Sequence, residues 1–354
     1  MKSYATGKEI FCVSIEKIIP TDFRGCVSIY QKGEMLFQKA YGYADLSNKV
    51  LNDIETRFAT ASAGKIFVAV AILQLVEKGK LHLEDKIGTL FDFDWKQIDP
   101  GITVEQLLTH TSGIPDYFDE SVMTEYEDLW YDFPNYRIRS NKDLLPLFIN
   151  KEMIYSKGSK FQYNNTGFVV LAMILEQIAG MEFDQYLEKS IFAPCNMTHT
   201  GYYELDRLPA KCAFNYIFDR ERNDYRTNIY SVDAKGTGAG GAFTTVSDVR
   251  LFWENLLSYK LLSPAMTKNM LSNHSGESRG YGYGVWLTKA GNDFNPHFEG
   301  CDPGVSFISA FDKENQILVT LVSNYGDNVW KLRRDIAACL LLSVNKKGGD
   351  PIES

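Results

Sequence analysis

The chain has 354 residues, 45% hydrophobic and 23% charged, with a formal charge of −8 and a pI near 5.3. That length suits two domains or one large one with an ample core. The acidic balance argues against a nucleic-acid surface or an anionic-membrane surface. No stretch reaches the ~18 apolar residues of a membrane span. The apolar run Ile10-Phe11-Cys12-Val13 is short for a signal peptide, and Glu16 and Lys17 soon follow it. Six cysteines (Cys12, Cys26, Cys195, Cys212, Cys301, Cys339) are scattered with no C-x-x-C pair. They read as reduced thiols of a cytoplasmic protein rather than a zinc or redox motif.

Residues 26–30 and 35–41 read as strands around the turn Gln31-Lys32-Gly33-Glu34. Ile66, Val70, Leu73 and Val76 recur at helical spacing, and Gly79 ends a helix predicted over 66–77. A short helix at 104–108 leads into Thr109-His110-Thr111-Ser112-Gly113-Ile114-Pro115-Asp116. Residues 116–136 are acidic and aromatic, which fits a lid over a site or an insertion packing its rings on a helical domain. Apolar helices are predicted over 167–179 and 183–191. The glycine-rich loop 236–241 lacks the Lys-Ser/Thr ending of a P-loop. It precedes a helix over 246–257, capped by Thr245 or Ser247. Strands at 305–311 and 317–323 flank the turn Asp312-Lys313-Glu314-Asn315, and a helix at 335–344 closes the chain.

Early and late strands can join in one antiparallel sheet flanked by terminal helices, with the helical middle inserted as a second domain. The predicted class is α+β: residues 1–60 and 235–345 form the sheet domain, 61–234 a mainly helical domain, and 346–354 a disordered tail.

Ser-x-x-Lys occurs at Ser14–Lys17, Ser62–Lys65 and Ser343–Lys346. Ser62 stands apart because it follows a strand-like stretch and opens a long apolar helix. Three residues apart, Ser62 and Lys65 share one helix face. Backbone N–H groups at a helix start can hold an oxyanion, and a Lys of lowered pKa can take the hydroxyl proton. Tyr163-Asn164-Asn165 contains the only Tyr-x-Asn among 20 tyrosines. A Tyr beside an ammonium can have a lowered pKa and act as acid or base. An Asn two residues on can offer its amide to a substrate carbonyl or to the Lys. A third segment, Pro296-His297-Phe298-Glu299-Gly300-Cys301-Asp302-Pro303-Gly304, reads as a glycine-rich turn before a strand. Such a turn can bring N–H groups to a substrate, with His297 or Glu299 at its rim.

In this order the three motifs resemble the penicillin-recognising serine hydrolases, nearest to class C β-lactamases and related D,D-carboxypeptidases, D-aminopeptidases and esterases. Further stretches resemble the same family: Gly42-Tyr43-Ala44-Asp45-Leu46, Leu107 through Pro115, Phe161-Gln162-Tyr163-Asn164-Asn165-Thr166-Gly167, Gly240-Gly241-Ala242-Phe243-Thr244-Thr245 and Tyr281-Gly282-Tyr283-Gly284. The resemblance spans roughly residues 23–343. It implies that Ser62 is acylated, that Lys65 and Tyr163 share the proton work, and that Asn165 touches the substrate amide. It also implies an oxyanion hole built from the Ser62 N–H and one N–H of the third motif.

The third motif departs from the family, where Lys or His, any residue, then Gly is expected. Counting back from Asp302-Pro303-Gly304 puts Phe298 in the cation slot, followed by Glu299 and Gly300. His297 lies one residue early, and a bulge could absorb that residue. With Phe298 in the slot, the site lacks a carboxylate anchor, and Glu299 would repel an anion. The expectation is a cofactor-free serine hydrolase cleaving an amide or ester of a small molecule or peptide. Alternatives are an esterase on a neutral substrate, or a penicillin-binding sensor with little turnover. The substrate-contacting set is Asn165, His297, Phe298, Glu299, Gly300 and Cys301. A metallo-hydrolase is disfavoured because His82, His110, His199, His274 and His297 show no ligand spacing.

Overall fold

The computed structural model describes residues 14–276 and 280–345. The tail expected to be disordered at 346–354 lies outside the described residues, as does Lys346 of the last Ser-x-x-Lys. Strands β1 (Gly25–Gln31) and β2 (Glu34–Tyr41) form the early hairpin. Helices α1 (Lys65–Glu77) and α2 (Asn165–Ala179) lie in the middle of the chain, and α3 (Val246–Leu257) follows the glycine-rich loop. Strands β3 (Gly280–Tyr281), β4 (Trp286–Ala290), β5 (Asp293–Asp302), β6 (Val305–Asp312) and β7 (Ile317–Ser323) precede the closing helix α4 (Val329–Asn345).

The strands make one antiparallel sheet in the order β2-β1-β7-β6-β5-β4-β3. The last long strand, β7, therefore pairs with the first, β1, and draws the two ends of the chain into one sheet. Both faces of the sheet are covered. Val27, Ile29, Val319 and Leu321 pack on one side with Ile15, Ile19 and the α4 residues Val329, Leu332 and Ile336. Cys26, Phe298, Phe307 and Val322 face the other way, into the larger core that contains α1 and α2. The two-residue period of a strand sorts these side chains. Helix α4 begins earlier than the 335 expected from sequence. Asn328 accepts the Lys331 N–H at 2.9 Å and starts the helix there, ahead of the apolar contacts of Val329 and Leu332.

Every residue of α1 from Lys65 to Leu75 is buried. A helix that is apolar all round is a central one, and α1 packs against α2. The N-terminus of α2 is capped twice: Asn164 Oδ1 accepts Gly167 N–H at 2.8 Å, and Asp116 Oδ2 accepts Asn165 N–H at 2.7 Å. Helix α3 is capped by Thr245, which accepts Asp248 N–H at 3.1 Å. Among the described residues, no single helix is long and apolar enough to cross a membrane.

Candidate active site

Ser62 sits in a 3-10 turn, Ala61–Gly64, that leads directly into α1. The turn follows Phe58–Ala59, which pairs with Phe243–Thr244. Ala61 has φ 48°, a left-handed conformation that costs free energy in a non-glycine residue. Gly240 and Gly241 hold it in place: Gly241 N–H donates to Ala61 O at 3.0 Å, and a Cβ on Gly240 would lie 2.3 Å from that oxygen. The Gly-Gly segment noted in the sequence thus forms the floor under the serine.

Lys65 Nζ donates to Ser62 Oγ at 2.9 Å, to Asn165 Oδ1 at 2.8 Å and to Ala239 O at 2.5 Å. Burial lowers the Lys65 pKa to about 8, even though the charges of Glu120, Asp116 and Asp302 pull it upward. Tyr163 is half-buried and its hydroxyl is hydrogen-bonded to Ser62. Its ring stacks on Trp286 at 5.6 Å and lies 4.5 Å from the His110 ring. The expectation of a lowered Tyr163 pKa is reversed. Burial pushes the phenol well above its ordinary value, and the charges of Glu120 and Asp116 add to that rise. Lys65 Nζ lies 5.0 Å from the centre of the Tyr163 ring, over its face. Of the pair, Lys65 is the group that can lose its proton near neutral pH, while Tyr163 keeps its own.

Asn165 faces Lys65 with its carbonyl oxygen and donates through Nδ2 to Phe118 O at 3.1 Å and Glu120 Oε1 at 3.3 Å. Asp116, pushed up to about 6 by burial, holds the backbone of Asn165 and Thr166. The aromatic stretch after Asp116 supplies one wall of the site through Tyr117, Phe118 and Tyr126.

The third motif needs correction. It is not a turn ahead of a strand but the strand β5 itself, with Pro303-Gly304 as the turn. No bulge interrupts it, because His297 through Asp302 pair in unbroken register with β6. His297 therefore does not shift into the cation slot. The side chains alternate. Phe298 stacks on Trp253 at 5.3 Å, inside the core. His297 meets Thr288 at 3.3 Å, and Glu299 accepts the Trp330 indole N–H at 2.9 Å. Those contacts hold His297 and Glu299 on the opposite face of β5 from Phe298, although the Glu299 charge still reaches Cys301 at the cavity. Pairing with β4 stops at His297, which leaves residues 298–302 with an edge free of β4. Gly300 lies at that edge, where a Cβ would stand 2.2 Å from Thr60 O and 2.7 Å from Ser62 N. Only glycine allows this approach of β5 to the serine turn. Of the six residues expected to contact substrate, Asn165 and Cys301 line the cavity, while His297, Phe298, Glu299 and Gly300 do not.

Beside Ser62 opens a cavity of about 610 Å³. Its wall carries Glu120, Glu125, Glu127, Asp233 and Asp302, and among the described residues Arg226 is the one lining cation. Arg226 is bound to Glu127 at 2.7 Å. Burial raises Asp233 and Asp302 to about 7 each. Sequence reading missed Glu120, Asp233 and Asp302. They come from three distant segments, and no spacing links them.

The profile of the Beta-lactamase family matches residues 21–341. PbpX of Bacillus subtilis is 30% identical over 308 residues, which cover 86% of this chain and 72% of that protein. A penicillin-binding protein of the same organism is 30% identical over 285 residues, and there the chain spans only 59% of the relative. A teichoic acid D-alanine hydrolase of Staphylococcus aureus is 23% identical over 343 residues, 94% of this chain and 79% of that one. Among solved structures, a penicillin-binding protein from Bacillus halodurans superimposes with TM-score 0.87 at 35% identity, over 93% of this chain and 99% of that one.

Proposed function

The chain belongs to the β-lactamase family, and from that premise we propose that it cleaves an amide or ester through an acyl-enzyme at Ser62, on a substrate that is not anchored by a carboxylate. It is a serine hydrolase of the penicillin-binding-protein fold. The observation that carries the proposal is the Lys65–Ser62 hydrogen bond of 2.9 Å at a buried lysine whose pKa burial has lowered.

Neutral Lys65 takes the proton from Ser62 Oγ as that oxygen bonds to the substrate carbonyl carbon. The oxyanion that forms is held by the Ser62 N–H and by the free edge of β5. The proton then passes, through the Tyr163 hydroxyl, to the leaving nitrogen or oxygen as its bond to carbon breaks. Water attacks the acyl-enzyme with Lys65 and Tyr163 again carrying the proton. Because Tyr163 is held protonated by burial, it serves as a relay and Lys65 as the base.

Two features support a substrate without a carboxylate anchor: Phe298, which counting assigns to the family's cation position, packs on Trp253 in the core, and the cavity wall is acidic. The name of one relative points to D-alanine, which fits a small acyl group bearing an amine. The test is intact mass after brief exposure to a neutral activated ester, with release of the alcohol followed in parallel. Mass gain on Ser62 with continued release supports the hydrolase. A burst of release without further turnover moves the reading to an acylated sensor. No adduct and no release in the native protein sinks the Ser62 reading.

A further inference from the structure

We propose that Asp302 and Asp233, with the Tyr126 hydroxyl and Asn215 Oδ1, form a subsite for a primary ammonium group carried by the substrate. The inference rests on the Ser62 reading above and names the charge of the substrate it acts on.

Asp302 lines the cavity at the end of β5, two residues beyond Gly300. Its carboxylate has no hydrogen bond or ion pair among the described residues. Asp233 lines the same cavity, and among the described residues its side chain receives only the Tyr126 hydroxyl, at 3.2 Å. Tyr126 is itself linked to Tyr117 at 3.3 Å. Burial raises both carboxylates, and the charge of Asp233 adds to the rise at Asp302. Two like charges in a partly dehydrated place cost stability unless a counter-charge arrives. Among the described residues, no cation pairs directly with either carboxylate, and the charge of Lys65 offsets the rise at Asp302 only in part. Arg226 is held by Glu127 and Ser231, and Lys65 is committed to Ser62, Asn165 and Ala239.

Asn215 gives a second, independent pointer. It is 4% exposed, it lines this cavity, and its Oδ1 has no hydrogen-bond partner among the described residues. Its backbone oxygen accepts the Asn228 N–H at 3.0 Å, and Asn228 Nδ2 reaches Pro303 O at 2.9 Å. That chain of bonds ties Asn215 to the turn beside Asp302. Two carboxylates and an orphaned carbonyl oxygen are all acceptors, and an ammonium has three donors and no acceptor. Among the described residues, no three His, Cys, Asp or Glu side chains converge to hold a metal ion. The counter-charge proposed for this set of acceptors is an organic ammonium.

The experiment compares D-alanine 4-nitroanilide with propanoic acid 4-nitroanilide, which differ by an ammonium in place of a hydrogen. kcat/KM is measured for both at about pH 7.5, near the ordinary α-amino pKa, in the native protein and in Asp302→Asn and Asp233→Asn. The native protein is expected to prefer the amine-bearing anilide. Each variant is expected to reduce that preference about tenfold, the worth of one charge-assisted hydrogen bond. An unchanged preference in both variants overturns the subsite. If neither anilide is turned over, calorimetric binding of D-alaninamide and propanamide to Ser62→Ala reads the subsite directly. Equal binding of the two overturns it. Preferential binding of D-alaninamide that is lost in Ser62→Ala/Asp302→Asn supports it, even where the Ser62 reading has failed. Melting temperatures show whether each variant is folded. Should Asp302→Asn not fold, Asp233→Asn carries the same readout.

Discussion

Lys65 Nζ stands 2.9 Å from Ser62 Oγ and spends its other two protons on Asn165 and Ala239. A fully committed ammonium cannot accept a proton, so Ser62 is activated only after Lys65 becomes neutral. Lys65 titrates at about 8, which places that step just above neutral pH. The active form is the deprotonated one. The kcat/KM for a neutral ester should therefore fall about tenfold per pH unit below about pH 8 and level off above it. A profile that is flat from about pH 6 to about pH 9 would remove Lys65 as the base.

Ser62→Ala should reduce kcat by at least about a thousandfold, as loss of a nucleophile does elsewhere. The melting temperature should barely move, because the serine side chain supports no packing. Lys65→Ala should lose comparable activity and also stability. Asn165 Oδ1 and Ala239 O would each be left without their donor in a buried place, at a cost of about 1–3 kcal/mol. Stopped-flow acylation together with thermal unfolding separates the two variants. Equal melting temperatures for both would contradict the buried network drawn here.

Gly300→Ala inserts a methyl group 2.2 Å from Thr60 O and 2.7 Å from Ser62 N. Both neighbours are backbone, so β5 must retreat from the serine turn. The variant should lose about 1–3 kcal/mol of stability and lose acylation further, because the edge that would hold the oxyanion moves with it. A crystal structure of the variant with β5 in place would count against this role for the glycine.

The acidic wall bears on penicillins, which carry a carboxylate. Acylation of Ser62 by a penicillin should be slower than acylation by a neutral ester of similar reactivity. Asp302→Asn should speed the penicillin reaction several-fold by removing one repelling charge near Lys65. Mass spectrometry over time measures both rates. A penicillin rate untouched by the substitution would show that the drug carboxylate sits elsewhere.

Phe298→Ala should cost about 3–5 kcal/mol, because the ring stacks on Trp253 and Phe307 in the core. Chemical denaturation measures that loss. A loss under about 1 kcal/mol would mean that the ring is not a packing element.

Much of this was legible along the chain because the relevant signals are local. Ser62 and Lys65 lie three apart, so one turn of helix brings them together whatever surrounds them. The apolar runs at 66–77 and 167–179 mark helices, and the observed α1 and α2 differ from them by only one or two residues at their starts. The expected strands 26–30, 305–311 and 317–323 likewise lie within β1, β6 and β7. Asn165, marked by its place two residues after Tyr163, meets the lysine only because α2 is docked against α1.

What the tertiary structure decided concerns direction and charge. Residues 297–299 are adjacent in the chain, yet strand alternation sends Phe298 into the core and holds His297 and Glu299 on the opposite face of β5. That assignment depends on unbroken register with β6, which no local pattern states. The Tyr163 pKa moves up rather than down because burial outweighs the hydrogen bond to Ser62, and burial is a property of the packed whole. The acidic wall gathers Glu120, Asp233 and Asp302 from segments more than sixty residues apart. Periodicity is set by the backbone over a few residues and can be read from the chain. Dehydration and the meeting of distant charges exist only after the fold has closed.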